Sequence, residues 1–131
     1  MVFPKWPAAA GKPSSRQAGE AAEAQALQHL QAAGLRLLER NYRTPGRGGG
    51  EIDLIMRAAD GTLVFVEVRQ RAGVRHGGAA ASVSATKQRR IVLAARYYLL
   101  RWQVPPPCRF DVVALDGAAG LQWLQAAFDA A

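Results

Sequence analysis

The chain has 131 residues, half of them hydrophobic and 21% charged, which is the length of one domain and enough for a single core. Lys and Arg number 17 against 10 Asp and Glu, giving a formal charge of +7 and a pI near 10.5; this balance favours polyanionic partners, nucleic acid first. A lone cysteine, Cys108, excludes an intrachain disulfide, and no run reaches the ~18 apolar residues of a membrane span. The start of the chain, with Pro4 and Pro7, lacks the apolar centre of a secretory signal, so a cytoplasmic protein with no membrane partner is expected.

Residues 1–13 read as a flexible tail, which leaves 14–131 as one domain. Ser14 or Ser15 can cap a helix that runs to about Ala33 and stops at Gly34. Ala24, Leu27, Leu30 and Gly34 fall on one stripe of it. Glu20, four and seven residues before Ala24 and Leu27, joins that stripe and should lean toward the body of the protein. The alternative is a helix-start glutamate favoured by the macrodipole. Residues 35–42 read as a strand. A loop over 44–50 follows, glycine-rich but matching no complete phosphate-loop pattern, so its expected job is a turn into the next strand. Arg43 and Arg47 make this loop basic.

The stretch from Gly50 to Arg71 carries the chemistry. Apolar runs at 52–56 and 63–68 flank Asp60-Gly61, which predicts a hairpin. Glu51 and Asp53 share one strand face, and Glu67 and Arg69 share another; Val64, Val66 and Val68 cover the opposite face, with Ile52, Leu54 and Met56 as counterparts. A carboxylate in so apolar a strand needs a partner or a metal. Asp53 and Glu67 can meet one hard cation such as Mg2+; the plain alternative is a cross-strand salt bridge from Asp53 or Glu51 to Arg69 on a solvated face. Register decides between these. A two-residue Asp60-Gly61 turn would oppose Asp53 to Val68 and point the two carboxylates apart. An odd loop centred on Asp60 would oppose Asp53 to Glu67.

After Arg71 a glycine-rich segment, 72–79, should be mobile, and His76 within it has no second ligand at metal spacing. Ser84 can cap a second helix to about Trp102, with Ile91, Val92, Ala95, Tyr98, Leu99 and Trp102 as its core stripe. Lys87 flanks that stripe and can reach across toward the sheet, while Arg89, Arg90, Arg96 and Arg101 lie on other faces. Pro105, Pro106 and Pro107 end the helix. A strand from Cys108 to Leu115 follows, with Cys108 expected as a small buried group and Arg109 with Asp111 as a structural pair. Residues 121–128 close the chain as a short strand or helix. The order predicts an α/β domain with a mixed central sheet between helices and the acidic residues at one edge.

Read together, Gly19-Glu20, Arg40-Asn41-Tyr42, Gly50-Glu51-Ile52-Asp53-Leu54-Ile55, Phe65-Val66-Glu67-Val68-Arg69, Lys87 and Arg109-Phe110-Asp111-Val112 resemble the YraN-type uncharacterised family, over about residues 14 to 115. Through it the chain resembles the PD-(D/E)xK superfamily of nucleases and Holliday-junction resolvases, whose acidic strand and Glu-x-Lys strand correspond here to Asp53 and Glu67-Val68-Arg69. The resemblance implies a restriction-endonuclease-like fold and a nuclease-like domain. It also implies Mg2+- or Mn2+-dependent phosphodiester hydrolysis, with branched DNA as a substrate class and DNA favoured over RNA. By that likeness Asp53, Glu67 and Arg69 are catalytic, Asp53, Glu67 and Glu20 hold the metal, and a resolvase-like protein would be a homodimer. Arg71, Lys87, Arg90 and Arg47 are candidate nucleic-acid contacts. One departure matters: Arg69 stands where lysine is usual, and arginine cannot act as a general base. The alternatives are a non-cleaving nucleic-acid-binding module with a degenerate site, and a protein-interaction domain whose acidic face makes only salt bridges.

Overall fold

The structure, a computed structural model, describes residues 14–71, 83–117 and 120–130. The expected tail over 1–13, the glycine-rich segment with His76, and the Arg71 side chain lie outside the described part. In chain order the elements are α1 (Ser15–Ala32), β1 (Arg36–Arg43), β2 (Glu51–Arg57), β3 (Leu63–Arg71), α2 (Ala85–Leu99), β4 (Cys108–Asp116) and β5 (Gly120–Phe128). They form an α/β fold: a five-stranded mixed sheet ordered β1-β2-β3-β4-β5, with the two helices flanking it. Neighbouring strands run antiparallel except β3 and β4, which are parallel and joined through α2.

Local chemistry sets the helix ends. Ser14 and Gln17 form a reciprocal capping box, the Ser14 hydroxyl accepting from the Gln17 N–H at 3.1 Å and Gln17 Oε1 from the Ser14 N–H at 3.0 Å. At the other end Gly34, with φ +98°, lets the Leu35 N–H reach back to the Leu30 carbonyl at 3.0 Å, and the two leucines pack in one cluster. Ser84 caps α2 by accepting from the Lys87 N–H at 3.1 Å, which sets Lys87 in the first turn.

Two cores lie on the two faces of the sheet. On the α1 side Ala26 and Leu30 pack on Leu54, Met56, Val64, Val66 and Val113. On the α2 side Ile91, Ala94, Ala95 and Tyr98 pack on Ile55, Leu63, Phe65, Phe110 and Val112. Phe65 is fully buried and stacks on Phe110 at 5.5 Å between centroids. Losing such a ring typically costs about 3–5 kcal/mol. Buried on both faces, β3 is the apolar centre of the molecule.

Several expectations change. The buried face of α1 is Ala22, Ala26 and Leu30, so Ala24 is exposed and Glu20 lies on the solvent side. Ile52 joins the α2-side cluster, away from Leu54 and Met56. The second helix ends at Leu99, and Cys108 is exposed at the first position of β4. Of the two forms left open for the last segment, residues 120–128 take the strand, while the acidic residues sit mid-sheet and not at an edge, on β2 and β3 where those strands part.

Candidate active site

The site is a fork in the sheet. β2 and β3 are paired only from Arg57↔Leu63 to Leu54↔Val66, while β2 stays with β1 as far as Glu51↔Arg43 and β3 stays with β4 as far as Arg71↔Asp116. The loop between them, residues 58–62, is odd and centred on Asp60. Its Oδ1 accepts from the Thr62 N–H at 3.0 Å, and Gly61 turns at φ +92°. Continued one step, this register sets Asp53 opposite Glu67. Beyond that step the side chain replaces the ladder: Asp53 Oδ2 accepts from the Val68 N–H at 2.8 Å. Across β1 the residue facing Asp53 is Asn41, whose φ of +50° marks the same break in regular pleating.

Glu67 continues the buried run of β3 and is itself 3% exposed. Its Oε2 has no hydrogen-bond donor among the described residues. Its Oε1 has two cations at the edge of ion-pair range, Lys87 Nζ at 3.8 Å and Arg69 Nη1 at 3.9 Å. Burial first, and the Asp53 carboxylate second, push the Glu67 carboxyl up to about 8, against the pull of Lys87 and Arg69. Burial likewise raises the Asp53 carboxyl, opposed by its hydrogen bond from Val68. Near neutral pH the pair therefore retains a proton that two separate carboxylates would have lost.

The α1 helix supplies a third acid. Glu23, half-buried, is pushed up by burial and by Asp53, and drawn down by Arg40 and Asn41. It lines a cleft of about 420 Å³ with Glu20, Asn41, Arg43 and Glu51. Glu20 sits at the outer lip, bonded to Arg16 at 3.3 Å, and Glu51 pairs with Arg43 at 3.6 Å. Sequence reasoning chose Glu20 and missed Glu23. The available signal was the spacing of Glu23 to two leucines, Leu27 and Leu30, at i+4 and i+7.

Of the expected site residues, Asp53, Glu67, Arg69 and Lys87 come together. Arg90 and Arg47 stay outside this group: Arg90 is exposed and donates to the Gly49 carbonyl at 3.3 Å, and Arg47 is exposed in the loop. That loop does more than turn. Thr44 Oγ1 accepts from the Gly50 N–H at 2.7 Å, and a Cβ on Gly50 would run into the Arg90 carbonyl and Ala94. Gly50 thus lets β2 start flush against α2, which sets Asp53 at its depth.

Asp53 and Glu67 offer hard oxygen donors, an empty Oε2 lone pair and depressed acidity, a set that suits one divalent cation with water in its remaining positions. Among the described residues no three acidic, His or Cys side chains gather at metal-holding range, so these two would carry such an ion.

A family model described as "Uncharacterised protein family UPF0102" matches residues 22–115. A UPF0102 protein of Albidiferax ferrireducens is 74% identical over 117 residues, covering 89% of this chain and 91% of the relative. One from Paracidovorax citrulli is 72% identical over 122 residues, covering 93% and 90%. A more distant relative from Methylibium petroleiphilum is 59% identical over 120 residues, covering 89% and 98%. The match spans the fork and both helices that face it, and the chain belongs to the UPF0102 family.

Proposed function

We propose that this chain is a nucleic-acid-binding protein of the PD-(D/E)xK kind that hydrolyses phosphodiester bonds with Mg2+ or Mn2+, in the cytoplasm. The observation that carries the reading is Glu67: a buried carboxyl with one oxygen lacking any donor among the described residues, beside Asp53 and between two cations. A stable protein without a ligand for that oxygen would gain by replacing it with an apolar residue. Asp53 and Glu67 would hold the cation, which on binding supplies Lewis acidity and polarises a water. Arg69, permanently charged, offsets negative charge developing on a phosphoryl group. Lys87 adds a second cation from the first turn of α2, in the neighbourhood where a strand lysine would otherwise act. The net charge of +7 supports a polyanionic substrate, DNA ahead of RNA.

A cleavage screen tests this: branched, single-stranded and duplex DNA, with RNA counterparts, against Mg2+ or Mn2+. Cleavage that is lost in Glu67→Gln and in Asp53→Asn is the expected result. Arg69 favours a second reading, a module that binds nucleic acid without cutting it. Salt-dependent binding with no cleavage of any substrate would establish that reading instead. Absence of both binding and cleavage would leave the carboxylates as a structural salt-bridge network.

A further inference from the structure

The far end of β2 carries a second feature that the carboxylate site does not use. Arg36 on β1 and Arg57 on β2 are directly opposed in the antiparallel register. Directly opposed side chains share a face, and like charges there repel. Neither guanidinium has a hydrogen bond or ion pair among the described residues. Both line a cleft of about 290 Å³ whose other walls are Gly34, Ala58, Ala59 and Gly61, none of them acidic. The nearby carboxylate of Asp60 is engaged by the Thr62 N–H. Gly34 and Gly61, both at positive φ, form the turns that border the cleft, and Arg57 Nη2 lies 3.9 Å from where a side chain on Gly61 would begin. Two unneutralised guanidiniums facing one open space with a glycine floor suit an oxyanion, which each can bind through its planar fork of N–H donors.

We infer that Arg36 and Arg57 form a phosphate-binding site at the end of the sheet opposite the fork. Resting on the nucleic-acid reading above, it takes a backbone phosphate of the same substrate. Arg57 lies four residues along β2 from Asp53, about 13 Å at the rise of a strand. Leu54, Ile55 and Met56 between them are fully buried, so a substrate would reach both places by passing round the outside of the sheet. The pair contributes affinity and orientation, and takes no part in bond cleavage.

The test is a salt series of binding to a short duplex and a branched DNA, for the wild-type chain and for Arg36→Gln with Arg57→Gln together, alongside thermal melts with and without inorganic phosphate. Loss of two phosphate contacts should lower the slope of log affinity against log salt by about 1.8 for duplex DNA, and weaken binding roughly tenfold or more at low salt. Melting temperature without ligand should stay the same or rise, because a repulsive pair is removed. If the wild type binds and the double variant keeps its slope and affinity, the inference is wrong and the nucleic-acid reading survives. If the wild type binds no nucleic acid, but phosphate raises its melting temperature and not the variant's, the oxyanion site stands and the nucleic-acid reading falls. If phosphate and nucleic acid both act equally on the two proteins, or the variant melts lower without ligand, the pair is structural and the inference is overturned.

Discussion

Asp111 and Glu67 are both buried carboxylates of the central sheet, on adjacent strands one register step apart and on opposite faces. Asp111 is surrounded by donors: Trp123 Nε1 at 2.9 Å, the Ala126 N–H at 3.0 Å and Arg109 Nε at 3.1 Å. A register shift opposite it, with Ala126 at φ +50°, turns that N–H inward. Glu67 has two loose cations and an oxygen with no donor among the described residues. The same chemical group, equally removed from water, is satisfied by the fold in one place and left wanting in the other. A carboxylate whose lone pairs are all occupied by protein donors holds structure together. One with an unoccupied lone pair can take a ligand from outside.

The largest expected effect falls on the satisfied side. Asp111→Ala strands a half-buried guanidinium, an indole N–H and an amide, and should cost about 3–5 kcal/mol of unfolding free energy by urea titration. A loss below ~1 kcal/mol would remove the contrast. Glu67→Gln should do the opposite, and its effect should depend on pH. The Glu67 carboxyl is raised from 4.5 to about 8 in the folded state. The folded chain therefore holds a proton that the unfolded chain releases, so wild-type stability from this group is full below about 4.5 and is lost as pH rises through about 8. Glutamine cannot ionise, so the variant should gain on the wild type by a few kcal/mol at pH 9 and by little at pH 4, read from melts at both. A pH-independent difference contradicts the raised acidity constant.

Metal should sharpen the comparison further. If the Asp53–Glu67 pair holds a divalent cation, Mg2+ at 100 times its Kd should stabilise by about 2.7 kcal/mol, and chelation should reverse this. Binding should release protons at pH 7, measurable in an unbuffered titration. Asp111→Asn should retain both responses and Glu67→Gln should lose them; equal responses in the two variants would show that the ion binds elsewhere. The smallest effect is expected from Gly50→Ala. Its Cβ pushes β2 away from α2, at a cost of about 1–3 kcal/mol, and should disturb the Val68 and Glu67 signals in an NMR spectrum while sparing Trp123. A shift confined to the Trp123 region would contradict the role given to Gly50.

Apolar strand runs around Asp60-Gly61 made the hairpin legible from residue order alone, while its register, two-residue turn or odd loop, was left for the structure to decide. Parity left Asp53 and Glu67 open between a metal site and a plain salt bridge, and the family likeness weighted them toward the first. The face of α1 was not, because Ala18, Ala21, Ala22, Ala24 and Ala26 fit either side of a helix and give no clear phase. Residue order therefore did not separate Glu20 from Glu23, and only the family likeness singled out Glu20. The break in pleating at Asn41 and the turned Ala126 N–H were also invisible. Asparagine adopts positive φ more readily than most residues, but an Asn inside a strand run gives no reason to expect it there, and alanine gives none at all. Arg36 and Arg57 look like ordinary surface arginines until the hairpin register brings them face to face.

The bond from the Val68 N–H to Asp53 has a mechanical meaning. Where a regular sheet would fasten two strands with backbone atoms at a fixed spacing, this one fastens them with a side chain that can rotate and change its charge. The hold between β2 and β3 at the fork should therefore be firmest when Asp53 is an ionised acceptor and weaker when it is neutral. The Val68 amide is the place to read this: its hydrogen-exchange rate should rise as Asp53 is neutralised.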